Sequence, residues 1–161
     1  MGFDLHLMPP SGFLEWTGER WDQYLANEPR PEEVHLGKSW YIGLVLDTIA
    51  HNLEDDRIGS RFPLLMRIHH DETIGWYQHE VKPLLDEIQD VKKGLATLPI
   101  NRSTLNYPDD EEVLRRVSDF KKTFPDRPLR NLCDLFCYFF DGYEAMARMA
   151  IETGSGLFLS Y

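Results

Sequence analysis

The sequence predicts a mainly α (α+β) fold, a compact single-domain helical bundle of five or six helices with a small sheet pairing the N- and C-terminal strands. Three observations predict it. Apolar residues recur at helical spacing along most of the chain, as they do in helices with one buried face. Strand-like patterns are confined to the two ends. Nothing in residues 1–161 marks a boundary: there is no internal repeat, low-complexity tract or linker, and the length suits one domain with a sizeable core.

Phe3, Leu5 and Leu7 alternate with Asp4 and His6, the period of a half-buried strand, and Pro9-Pro10 ends it. Trp21, Tyr24 and Leu25 mark one face of a short helix over 17–27, with Thr17 as its cap. Pro29 and Pro31 make the next stretch an extended connection. Ser39 then caps a helix whose Ile42, Val45, Leu46, Ile49 and Leu53 share a stripe. The apolar run 62–68 is too short to separate helix from strand, and helix is favoured. Over 79–98, Val81, Leu84, Leu85, Ile88, Val91, Leu95 and Leu98 form one stripe, with Pro83 near the helix start.

Asp109, with Glu112 three residues on, opens a further helix in a capping-box pattern. Val113, Leu114, Val117, Phe120 and Phe124 are its expected buried face. The last helix spans 128–153. Its segment L-C-D-L-F-C-Y-F-F is apolar nearly all round, as in a central helix enclosed by others, and Gly154 ends it. L-F-L-S-Y is the final strand and the expected partner of the first.

The formal charge of −10 argues against nucleic acid or an anionic membrane as partner, since phosphate contacts need clustered Lys and Arg. It accommodates a basic protein, whose encounter such a charge accelerates. Cys133 and Cys137, four apart on a helix, are badly aimed at each other for a disulfide and are expected in the core. The N-terminus lacks a signal-peptide pattern, no apolar run is long enough for a membrane span, and His6 breaks the myristoylation pattern. The expected location is the cytoplasm.

Four motifs come close and fail. H-E-V-K-P at 79–83 begins like the zinc-protease H-E-x-x-H, but Pro83 stands at the second ligand position. His70-Asp71-Glu72 has the H-x-E of zinc deaminases without their P-C-x-x-C partner. Gly37-Lys38-Ser39 ends like a phosphate loop that should begin with glycine at the position of Glu32. Gly154-Ser155-Gly156 follows a helix, whereas a nucleophile elbow follows a strand.

Looser constellations remain. R-I-H-H-D-E-T-I-G-W-Y-Q-H-E, residues 67–80, holds three of the six histidines. Asp71–Gly75 suits a polar turn, with Trp76 and Tyr77 locking the entrance to the helix near His79. His70 and His79, with Asp47 and His51 one helical turn apart, are candidate acid–base residues. His51, His70 and His79 are candidate ligands of a divalent metal spread over a bundle, although no cofactor is expected. Asp47 and His51 share a stripe with Trp40 and Leu44, away from the main apolar face. Asp134, Tyr138 and Asp141 form a polar stripe that needs partners such as Arg67, Arg127 or Arg130. Trp16, Trp21, Trp40 and Trp76 are expected mostly in the core, with one available to anchor an interface.

V-H-L-G-K-S-W, residues 34–40, followed by an apolar helix, resembles the K-x-W helix opening of the YfbM-like family of uncharacterised bacterial proteins over about fifteen residues. In general make-up, being small, acidic, single-domain and without a catalytic motif, the chain resembles bacterial toxin-neutralising immunity proteins. Neither likeness carries a site. Two readings follow. One is a non-enzymatic interaction protein, immunity- or antitoxin-like, that binds a basic protein through Asp55, Asp56, Asp109, Asp110, Glu111 and Glu112. The other is a small metal-dependent helical enzyme using the histidines and carboxylates around residues 47–80.

Overall fold

The computed structural model describes residues 2–7, 15, 17–26, 33–55, 57–69 and 74–160. The first and last strands pair as expected: in β1 (Gly2–Leu7), Leu5 lies opposite Leu159 and His6 opposite Phe158 of β4 (Leu157–Ser160). Two further strands join them. β2 (Glu33–Lys38) flanks β1 and β3 (Ile74–Trp76) flanks β4, giving an antiparallel sheet of order β2-β1-β4-β3. The extended connection after Pro31 therefore contains a strand, and Gly75, expected in a turn, is the middle residue of one. In β2, Val34 and Leu36 do alternate with Glu33 and His35, but the alternation ends after these four positions, where the pairing is bulged. There Phe3 faces Gly37 and Asp4 faces His35, leaving Leu36 as the extra residue.

Leu5, Leu36, Leu157 and Leu159 are buried on the helical side of the sheet. On the other side His6 stacks on Phe158 at 4.6 Å, and its Nε2 lies 2.7 Å from Ser160 Oγ. Burial pushes the His6 pKa below its ordinary value, against the opposing pull of Glu33 and Asp4.

Helix α1 (Gly18–Ala26) follows Thr17, whose Oγ1 accepts from the Arg20 N–H at 3.5 Å. The expected buried face of Trp21, Tyr24 and Leu25 lies outside the described residues. α2 (Ser39–Leu53) buries Ile42, Val45, Leu46 and Ile49 as the spacing requires. Lys38, however, is the capping residue, and Ser39 is already the first helical one. Residues 65–69 form a single short 3-10 helix rather than an α-helix, with the Glu87 carboxylate accepting from the N–H groups of Leu64 (3.3 Å) and Leu65 (2.7 Å). α3 (Gln78–Ala96) buries Val81, Leu84, Ile88, Val91 and Leu95. α4 (Asp110–Thr123) begins at Asp109, whose Oδ1 accepts from the Glu112 N–H at 3.1 Å.

The single helix expected over 128–153 is two. α5 (Leu132–Leu135) is capped by the Asn131 side chain, and α6 (Cys137–Thr153) restarts after Phe136, at φ −103 and ψ 23. A continuous helix would aim the Phe139 N–H at the Leu135 carbonyl. That N–H instead donates to the Tyr41 hydroxyl, 3.3 Å away. α6 still occupies the centre, between the sheet and α3. Gly142 sets its distance from β2, because a Cβ there would lie 3.3 Å from Val34. Gly154 closes the helix in the left-handed conformation, φ 67.

The polar stripe of this region finds two of its expected partners: Asp134 pairs with Arg130 at 3.0 Å and Asp141 with Arg127 at 2.7 Å. Arg67 pairs elsewhere, with Glu80. Cys133 and Cys137 are free and only half-buried, on the wall of a small cleft with Lys92 and Phe140 rather than deep in the core. Burial raises the Cys133 thiol pKa, so it is held protonated.

One ion cluster fixes α6 to α3. Glu144 accepts from Lys92 at 2.7 Å, Gln89 at 2.8 Å and Arg148 at 2.8 Å. Burial alone would raise this carboxyl, but the three donors outweigh it and hold the pKa at about 2, below the ordinary 4.5. The folded pKa is depressed, so the stabilisation is present above pH 4.5 and is lost as pH falls toward 2. Glu144→Gln should therefore cost about 1–2 kcal/mol at pH 7 after allowance for solvent screening. Urea titrations at pH 7 and near pH 2.5 should show that gap closing. A gap that stays constant with pH would refute the assignment.

Candidate functional site

The histidine-rich stretch is tied down by structural contacts. Arg67 Nη2 pairs with Glu80 Oε2 at 2.7 Å, and Arg67 Nη1 donates to the Gly75 carbonyl at 2.6 Å. Glu80 also accepts from the Tyr77 N–H at 3.1 Å, and the hydrogen bond from Arg67 holds its carboxyl below the usual range. Trp76 is fully buried, and its indole N–H donates to the Leu64 carbonyl at 2.9 Å. Trp76 and Glu80 thus fix the entry into α3. His79 is exposed and stacks on Tyr77 at 5.8 Å. His70, Asp71 and Glu72 lie outside the described residues.

The other candidates stand apart from one another. His51 donates from Nε2 to the Ser103 carbonyl at 3.0 Å, which ties the end of α2 to the loop after α3, while Asp47 is exposed one turn earlier. Among the described residues no three His, Cys, Asp or Glu side chains are grouped to hold a metal ion; the proposed set includes His70, which is not among them. Of the acidic candidates, Asp55, Asp110 and Glu111 are exposed, Asp109 serves as the α4 cap, and Glu112 pairs with Arg115 at 3.2 Å. Asp56 lies outside the described residues. Ser160, His6 and Glu33 follow the order nucleophile, base, acid. At 3% exposure and stacked on Phe158, however, the His6 ring has no face open to a substrate.

The feature that sequence reasoning missed is an apolar groove of roughly 450 Å³ between α2, α4 and the α5–α6 junction. Trp40, Tyr41 and Leu44 form one wall, Arg116, Phe120 and Phe124 the opposite one, and Phe136 and Tyr138 lie at the junction. Trp40 is 55% exposed and Tyr138 40% exposed, unusual values for such large apolar surfaces. Tyr41 is pinned: its hydroxyl takes the Phe139 N–H, and burial raises its pKa well above the ordinary value, so it stays protonated. Arg116 lies over the Trp40 ring at 4.6 Å, and its Nε donates to the Tyr107 hydroxyl at 3.1 Å.

The signal was present in α2, which carries two apolar stripes. The stripe through Ile42 and Ile49 is core. The stripe through Trp40 and Leu44, on which Asp47 and His51 continue, is a groove wall.

Residues 26–148 match the family described as Immunity protein 70. The chain belongs to that family. The matched span is more than half of the 161 residues and includes both groove walls. This immunity protein therefore has another protein as its partner, and the likeness of make-up to immunity proteins was the informative one. The match lends nothing to the YfbM-like likeness. No curated protein and no solved structure matches the chain. No helix among the described residues is long and apolar enough to cross a membrane.

Proposed function

We propose that this immunity protein neutralises a toxic protein by binding it stoichiometrically, and that its charge draws in a basic partner. The family match carries this reading. Net charge −10 supports the second part, because long-range attraction raises encounter rates without being part of the final contact. Asp55 beyond α2 and Asp110 and Glu111 at the head of α4 are exposed acids available for it. Free Cys133 and Cys137 suit a reducing compartment such as the cytoplasm.

The test is co-expression with candidate toxin domains in a host whose growth they arrest, followed by kinetics on the protective pair. The expected result is rescue with a stable complex whose association rate falls about tenfold or more between 0.05 and 0.5 M salt. Rescue by a chemically altered toxin, without a stable complex, would overturn the binding reading. A salt-independent rate would overturn the basic partner.

A further inference from the structure

We infer that the groove between α2 and α4 is where the toxin seats an anchor: a segment presenting an apolar side chain directly beside a carboxylate. This deepens the proposed binding function and rests on it. The chemistry of the groove selects the occupant. Its walls are aromatic and aliphatic, and its exposed members, Trp40, Tyr138 and the partly buried Arg116, are of the residue types that dominate binding energy at protein interfaces.

The charge on the rim runs against that of the whole molecule. Acids outnumber bases 27 to 17 in this chain, yet the groove is lined by two cations, Lys38 and Arg116, against the single carboxylate of Asp119. Among the described residues neither cation has a carboxylate within ion-pair distance, which other surface cations such as Lys82 and Lys93 share; what sets Arg116 apart is its place on an apolar wall. Arg116 is also held in place, by its stack on Trp40 and its bond to Tyr107. Nε is thereby occupied, leaving the terminal guanidinium nitrogens for an incoming acceptor. A guanidinium fixed on an apolar wall and lacking an anion is complementary to a carboxylate, which it can meet with two parallel hydrogen bonds. Acids outside the groove then govern the rate of encounter, and the groove governs how long the complex lasts.

The test has two arms. In the first, N-acetylphenylalanine and its amide are titrated into the whole protein and followed by NMR at the Trp40 indole N–H. The acid should bind with Kd about 1 mM, reasonable for a fragment of this size, with shifts confined to the groove. The amide should bind about tenfold more weakly, and Arg116→Gln should abolish that difference. Equal response to acid and amide, or none at either, would overturn the proposal.

In the second arm, Trp40→Ala and Arg116→Gln should each speed dissociation of a neutralised toxin by about tenfold or more, while Leu114→Ala, at a 67% exposed site on α4 outside the groove, should not. Unchanged circular dichroism and Tm confirm that the variants fold. Probe binding in the first arm with no effect of either variant on the toxin would assign the groove to a small ligand and overturn the proposal. The binding function would survive that result.

Discussion

Replacing Trp76 by alanine should destabilise the protein by about 3–4 kcal/mol, the largest loss expected from any single side chain here. The indole is fully buried in β3, a strand of three residues held by its pairing with β4, by the Arg67 hydrogen bond to the Gly75 carbonyl and by this side chain. It packs edge-on against Tyr143 at 5.7 Å and donates to the Leu64 carbonyl at 2.9 Å. Truncation removes the burial, leaves a cavity, and takes one of two donors from that carbonyl, which keeps only the Arg67 N–H at 3.3 Å. One effect works the other way. The Tyr143 hydroxyl is buried without a hydrogen-bond partner among the described residues, and water admitted to the new cavity would be placed to reach it. That is why the lower part of the usual range for such truncations is the better estimate.

Urea unfolding followed by far-UV circular dichroism measures the effect. A midpoint falling by about 2 M corresponds to the expected loss for a chain of this size. Trp76→Phe keeps a ring and loses only the N–H and some volume, and should cost about 1–2 kcal/mol. If alanine costs no more than phenylalanine, burial at this position is not what holds β3.

How much of this was legible in the sequence depended on whether the determinants were local. α3 was plain, because Val81, Leu84, Ile88, Val91 and Leu95 all fall on one stripe and all are buried. The cap at Asp109 and the glycine stop at Gly154 were equally local. The break at Phe136 was not. Leu132 to Phe140 is apolar nearly all round, with Asp134 as its one charge, so it has little period to interrupt, and the atom that takes the Phe139 N–H belongs to Tyr41, 98 residues away. β3 could not be seen because three residues are too few to show alternation.

The groove was hidden for a related reason. Phe120 and Phe124 have the spacing of core residues, and only the stand-off of α4 leaves them facing a cleft opposite Trp40; the close helix pairs are α3 with α6 and α3 with α5. The density of ligand-type residues in 67–80, by contrast, drew attention to a segment whose described contacts are structural. Residue type alone could not distinguish Glu80 as the partner of Arg67 from Glu80 as a catalytic group.

Gly37→Ala should cost about 2–4 kcal/mol and disturb the groove at the same time. Gly37 follows the extra residue of the β2 bulge and has φ +134, a conformation that L side chains rarely adopt; strain of that kind costs about 1–3 kcal/mol. A second cost comes from Tyr41, because a Cβ on residue 37 would lie 2.6 Å from Tyr41 Cδ1. The ring has little freedom to retreat. Its hydroxyl accepts from Phe139, and it packs edge-on against Phe136 and Tyr138, both 6.3 Å away between centroids. If Tyr41 moves, the groove loses part of a wall and the first turn of α6 loses a hydrogen-bond acceptor.

The two costs separate in a double-mutant cycle. In a Tyr41→Ala background the collision is gone and only backbone strain remains, so Gly37→Ala should cost about 1–2 kcal/mol less there than in the native chain. Thermal melts give the energies, and a loss of about 5–10 °C in Tm is expected for the single variant. Amide exchange at Phe139 gives the structural readout and should quicken in both single variants. Strict additivity would refute the coupling. In that case the bulge would be a feature of the sheet alone, and Tyr41 would have to be held over the groove by its contacts with α6.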